Sequence, residues 1–195
     1  MSSIDRLALL LCALPFTIAS EAQFAPALTV HPSGADLSLH ATDVDHDGDL
    51  DLVGLFAGQH FKWFENTDGQ GSFAASQPVV DLFEDCGSFD IADLDMDGLP
   101  DLVLLEDLDN EIWLVRNQGD GNFAAPQLLG IVDGDGGAIR IAELTGDGTM
   151  DIVVNVAYVD GGGIAWFAGN GTGFEPLASA PMQIAGAASA YLSIA

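Results

Sequence analysis

Beyond residue 36 the apolar residues fall in short runs separated by acidic or glycine-rich stretches, and the runs recur in a fixed order. Residues 52–56, 102–105 and 152–154 are too short for a helix that buries a face, and their Leu, Val and Ile content suits strands. Each run follows an acidic block: Asp43-Val-Asp-His-Asp-Gly-Asp-Leu-Asp51, Asp93-Leu-Asp-Met-Asp-Gly-Leu-Pro-Asp101 and Glu143-Leu-Thr-Gly-Asp-Gly-Thr-Met-Asp151, with starts 50 residues apart. A second apolar stretch then carries Trp63, Trp113 or Trp166, followed by Asn66, Asn117 or Asn170 and a Gly-rich turn ending on Phe73, Phe123 or Phe174. The third copy is longer around Asp160-Gly-Gly-Gly163 and shorter between Trp166 and Phe174. Both changes fall in turns, where loop closure tolerates them.

Each repeat therefore predicts four short strands. One enters the acidic block (88–92 in the second copy), one leaves it, one surrounds the Trp, and one follows the Phe (126–129). Four antiparallel strands make one propeller blade, so the expected fold is all-β, a β-propeller of about three repeats. The repeats span about 36–85, 86–135 and 136–187, and 188–195 would start a fourth. Residues 24–26 look like the last strand of a preceding repeat, and 192–195 match 89–92 and 139–142. Closed propellers have about four to eight blades. The expectation is thus an incomplete propeller, either a truncated product or an arc that pairs with missing blades or another chain. The repeated Trp and Phe are expected to fill the space between blades.

Charge narrows the partners. The formal net charge is −26 with only four Lys and Arg, which leaves nothing to neutralise a phosphate backbone, so nucleic acid and anionic membrane surfaces are poor partners and none is expected. So many carboxylates repel one another in a compact fold unless bound cations cancel part of the charge. The 49% hydrophobic content supplies a core. Residues 1–22 read as a signal peptide: Arg6, the apolar stretch 7–18, and Ser20-Glu21-Ala22 as a cleavage site. The mature chain, 23–195, would then be secreted, without a membrane span. Cleavage removes Cys12 and leaves Cys86 alone, either buried and inert or lacking a partner outside this chain.

The acidic blocks carry the chemistry. In a short loop curled around an ion, alternate side chains turn inward, and an oxygen-only donor set selects calcium or magnesium. The expected ligands are Asp43, Asp45, Asp47, Asp51 and the backbone oxygen of Asp49 in the first loop. In the second they are Asp93, Asp95, Asp97, Asp101 and the backbone oxygen of Leu99. The third offers Glu143, Thr145, Asp147, Asp151 and the backbone oxygen of Thr149, one carboxylate fewer, and should bind most weakly of up to three Ca²⁺ ions. Gly48, Gly98 and Gly148 sit where the loop turns sharply. An EF-hand would need a bidentate Glu at position 12 and flanking helices, whereas Gly54, Leu104 and Val154 stand there between strands.

The pattern Asp-x-Asp-x-Asp-Gly-x-x-Asp, followed by an Asn, a Gly-rich turn and a Phe, resembles the FG-GAP and VCBS-type repeats, the family that includes the propeller of integrin α-subunits and many secreted microbial proteins. The resemblance implies a β-propeller with calcium in hairpin loops on one face. The turns Gly71-Ser-Phe-Ala74 and Gly121-Asn-Phe-Ala124 depart from the FG and GAP elements, and integrin-like ligand binding is not implied. His31, His40, His46 and His60 lie in or before the first repeat, near no nucleophile, and read as surface residues. The expected function is non-catalytic: a secreted calcium-binding module for an extracellular protein or glycan, with adhesion as the class of role. The alternative is a fragment of a calcium-dependent polysaccharide-active enzyme or a lectin on the same propeller. Asn170-Gly-Thr172 forms a glycosylation sequon.

Overall fold

A computed structural model describes residues 30, 36–56, 60–80, 86–158, 161–170 and 182–183. The expected signal peptide at 1–22, the expected strand at 24–26, His31, Phe174, part of the sequon, and the expected start of a fourth repeat lie outside the described residues. The strands form three antiparallel sheets. The first sheet is β1 (Asp36–Thr42), β2 (Asp51–Phe56), β3 (His60–Phe64) and β4 (Gln77–Val80), paired in chain order. The second is β5 (Cys86–Ala92), β6 (Asp101–Glu106), β7 (Glu111–Val115) and β8 (Gln127–Ile131), and the third β9 (Asp135–Ala142), β10 (Asp151–Tyr158), β11 (Gly161–Phe167) and β12 (Met182–Gln183). The all-β, four-stranded blades match the repeat, and the three sheets form an open arc of propeller blades rather than a closed barrel.

The core lies between blades. Successive side chains of a strand point to opposite faces, so an apolar run such as 102–105 can serve two neighbours at once. Leu102 and Leu104 pack into a cluster with Val53, Leu55, Phe61 and Phe89, between the first and second blades. Val103 and Leu105 face the other way, packing with Ile139, Ile152, Val154 and Phe167 between the second and third. Hydrogen bonds cross the same seams. Asp90 Oδ2 accepts from Ile141 N at 2.8 Å, Ser88 Oγ from Ile139 N at 3.2 Å, and Asn117 Nδ2 donates to Val44 O at 2.7 Å.

The three Trp residues are not equivalent, contrary to the sequence alignment. Trp63 pairs with Val53 and is buried where Gly121 of the second blade closes over its ring. Trp113 pairs with Leu104, one position further along, while Leu114 pairs with Val103. A one-residue shift of register moves a side chain to the opposite face. Leu114 therefore occupies the slot of Trp63, and Trp113 packs back toward the first blade. Trp166 pairs with Val153, as Trp63 does with Val53, yet it is 39% exposed. Filling space between blades thus describes Trp63 and Trp113 but not Trp166.

His40 also departs from expectation. Its ring stacks 4.7 Å from Phe89 of the second blade, and Nδ1 lies 3.3 Å from Asp90 Oδ1, so it is a seam residue and not a surface one. Burial lowers its pKa, Asp90 raises it in part, and Arg140 adds to the lowering. Cys86 resolves to the inert alternative: it is buried, and burial pushes the thiol up to about 12.

Candidate metal centres

Each acidic block forms the hairpin loop between the first two strands of its blade. The pairs Thr42 with Asp51, Ala92 with Asp101, and Ala142 with Asp151 close the three loops. All the sequence-derived candidates thus sit in equivalent hairpins. Within them the first Asp caps its own loop. Asp43 accepts from Asp47 N at 3.1 Å and Gly48 N at 3.0 Å; Asp93 accepts from Asp97 N at 3.2 Å and Gly98 N at 2.9 Å. The fifth position turns the chain onward, with Asp47, Asp97 and Asp147 accepting from the backbone N–H two residues later. The glycines at position 6 have φ of 97°, 90° and 84°, and a Cβ on Gly48 or Gly148 would meet open space. The backbone angle, not crowding, is what calls for glycine there.

Position 4 carries a strain that the sequence did not reveal. His46 and Met96 adopt φ of 66° and 63°, a left-handed conformation uncommon for residues with a Cβ, and the third loop places Gly146 at this position with φ 78°.

The position-9 carboxylate has a structural task before any ion is considered. Asp51 is buried, its Oδ2 accepting from Val44 N at 3.0 Å and its Oδ1 from Asn66 N at 2.7 Å. Asp151 repeats this with Leu144 N and Gly169 N, both at 2.9 Å. The residue equivalent to Asn66 in the third blade is therefore Gly169, not Asn170. Asp101 Oδ1 accepts from Asn117 N at 2.9 Å, but its Oδ2 meets Arg116 Nη1 at 2.5 Å. Each carboxylate oxygen has a second lone pair, so these bonds leave room for a cation. Burial raises Asp101 to about 6, the Asn117 N–H and Arg116 holding back a larger shift.

The loops differ in how their carboxylates converge. In the first, ligand atoms of Asp43, Asp45 and Asp51 lie within 4.8 Å of one another; in the second, the convergent set is Asp93, Asp95 and Asp97. Among the described residues the third loop forms no such set. There Glu143 Oε1 accepts from Gly146 N at 2.5 Å, and Thr149 Oγ1 lies 2.6 Å from Asp147 Oδ1, so hydroxyl and backbone donors occupy its carboxylates. Asp45 is raised by burial and then by the charges of Asp51, Asp47 and Glu65. Asp95 Oδ1 is buried and meets no hydrogen-bond donor among the described residues. A buried anionic oxygen without a donor is costly, and a hard cation is the partner that its neighbours' oxygens could share with it. The residues of the first two loops therefore fit a calcium ion. Sequence reasoning missed Glu65 and Arg116, although both are charged residues directly before Asn66 and Asn117.

The FG-GAP-like repeat description matches residues 43–104 and 93–154, each span running from one acidic hairpin through the next. The chain belongs to the FG-GAP-like repeat family. Among solved structures, the chain is similar to a lectin of Agrocybe aegerita whose reported subject is specific recognition of non-reducing terminal N-acetylglucosamine. The TM-score is 0.53 at 27% identity, over 69% of this chain and 36% of the lectin's. The matched region is thus little more than a third of that protein. No curated protein matches the chain significantly.

Proposed function

We propose that this FG-GAP-repeat chain is a secreted, non-catalytic module whose hairpin loops bind calcium structurally and whose blades present a surface to a glycan. The observation that carries the reading is the pair of convergent carboxylate sets at equivalent hairpins, one of which holds the donorless buried oxygen of Asp95. Asp43, Asp45, Asp47 and Asp51 with the Asp49 carbonyl would hold one ion; Asp93, Asp95, Asp97 and Asp101 with the Leu99 carbonyl a second. Glu143, Thr145, Asp147, Asp151 and the Thr149 carbonyl would make the weakest site. The ion would neutralise like charges that otherwise splay each hairpin. Extracellular modules bind calcium at about 10⁻⁴ to 10⁻³ M, which suits a structural ion outside the cell.

The likeness to a lectin favours a glycan over a protein as the partner. The export pattern at 1–22 supports secretion. A glycan array probed with the mature chain in calcium, and again in EDTA, tests the reading. Binding to a defined set of glycans that fades in EDTA supports it. Turnover of an acidic polysaccharide would replace it with the calcium-dependent enzyme reading, and silence on the array with capture of an extracellular protein would move the partner to the protein class.

A further inference from the structure

The residues just past the end of each Trp-bearing strand (β3, β7 and β11) lie beside the acidic hairpin, and they bring a different side chain there in every blade. Asn66, Asn117 and Gly169 each donate their backbone N–H to the position-9 Asp, so they mark the same place. The residue before that place is Glu65 in the first blade, Arg116 in the second and Ala168 in the third. We propose that this position sets the relative calcium affinity of the first two loops, with Arg116 acting as a built-in counter-cation that demotes the second loop below the first. The inference rests on the calcium reading above and deepens it.

Arg116 Nη1 lies 2.9 Å from Asp95 Oδ2 and 2.5 Å from Asp101 Oδ2. One guanidinium nitrogen thus stands between the position-3 and position-9 carboxylates, both of which the ion would need. The convergent sets carry the mark of this contact. The first loop gathers positions 1, 3 and 9, whereas the second gathers 1, 3 and 5, its position-9 carboxylate being engaged by Arg116. An arginine remains charged at all accessible pH, so its repulsion of an incoming divalent ion is permanent. Asp95 Oδ1, still without a donor, keeps the second site weakened but not abolished. In the first loop the same position adds a carboxylate, whose charge already bears on Asp45. By formal charge alone, equal sets of four Asp would bind alike; the flanking residue separates them.

The test is calcium titration of the mature chain by calorimetry, with melting curves in EDTA and in calcium. Wild type should show one tighter site. Arg116→Gln should tighten a second site by roughly tenfold or more, a single charge removed from ligand distance. Its melting temperature should fall in EDTA, where Asp95 and Asp101 lose their ion pairs with Arg116, and recover with calcium to a greater extent than wild type. Glu65→Gln should weaken only the tighter site, and Arg116→Lys should restore the wild-type pattern. Asp95→Asn serves if Arg116→Gln does not fold: it should leave the tighter site intact. Loss of that tighter site in Asp95→Asn, or unchanged affinities in folded Arg116→Gln, overturns the proposal while leaving calcium binding in place. No calcium heat from wild type, Arg116→Gln and Asp95→Asn alike overturns the calcium reading itself, and this proposal with it.

Discussion

Replacing Asp51 with Ala should destabilise the protein even when every divalent ion has been chelated. Asp51 is 1% exposed, and its two oxygens hold the Val44 N–H inside the hairpin and the Asn66 N–H on the returning strand. Deletion leaves both donors without their acceptor. A buried donor deprived of its partner costs about 1–3 kcal/mol. Two of them give about 2–6 kcal/mol, from which relief of the repulsion between Asp51 and Asp45 subtracts a part. For a domain of this size 1 kcal/mol moves the melting temperature by about 2–4 °C, so a fall of roughly 5–15 °C is expected. Asp51→Asn, which keeps one acceptor oxygen, should lose about half as much. Asp47→Ala is the control: its side chain is exposed and its Oδ1 serves a single turn N–H, so in EDTA it should stay within about 1 kcal/mol of wild type. Scanning calorimetry in EDTA reads all four proteins. If Asp51→Ala melts with wild type there, the carboxylate is not the pin described, and its conservation of geometry with Asp151 would need another cause.

Other outcomes follow from the seams between blades. Gly121 has φ of 70°, and a Cβ on it would run into the buried ring of Trp63, so Gly121→Ala should cost about 2–4 kcal/mol and red-shift Trp fluorescence as that ring is displaced. Cys86, its thiol raised to about 12 by burial, should resist a disulfide exchange reagent at about pH 8 in the native protein and react once denatured. The lowered pKa of His40 means that its neutral form is favoured in the fold. Its contribution is therefore present above the ordinary histidine value of about 6.5 and lost as pH falls through the folded value, so wild type should lose more melting temperature than His40→Gln between about pH 7.5 and 5.5.

Much of this architecture was legible in the sequence because its determinants are local. Strand length, the acidic hairpins and the glycines at position 6 all follow from residues within a few places of one another, and each recurs. Features set by pairing were not legible. Trp113 stands at the same distance from its acidic block as Trp63, yet the turn around Asp107, Leu108 and Asp109 shifts the register by one and turns it to the other face. Only the hydrogen-bonded partner, Leu104 in place of Val103, discloses this. Likewise Asn170 follows the Trp stretch much as Asn66 does, but it stands one place further from its in-register Trp, so Gly169 takes the tie to Asp151. Arg116 is far from Asp95 in sequence and reaches it only because the hairpin and the returning strand lie side by side. The composition pointed to a shortage of positive charge; the structure places the Arg116 guanidinium against two carboxylates of one loop.

The most direct measurement is a melting curve of the wild-type chain, alone and with Asp45→Ala and Asp95→Ala together, in EDTA and across a calcium series up to about 10 mM, a range that spans the affinities of extracellular sites. Wild type should gain stability with calcium by mass action, about 1.4 kcal/mol for each tenfold rise above the dissociation constant, and the double variant should gain far less. A wild-type melting temperature indifferent to calcium, matched by a double variant that is equally stable, would contradict the account.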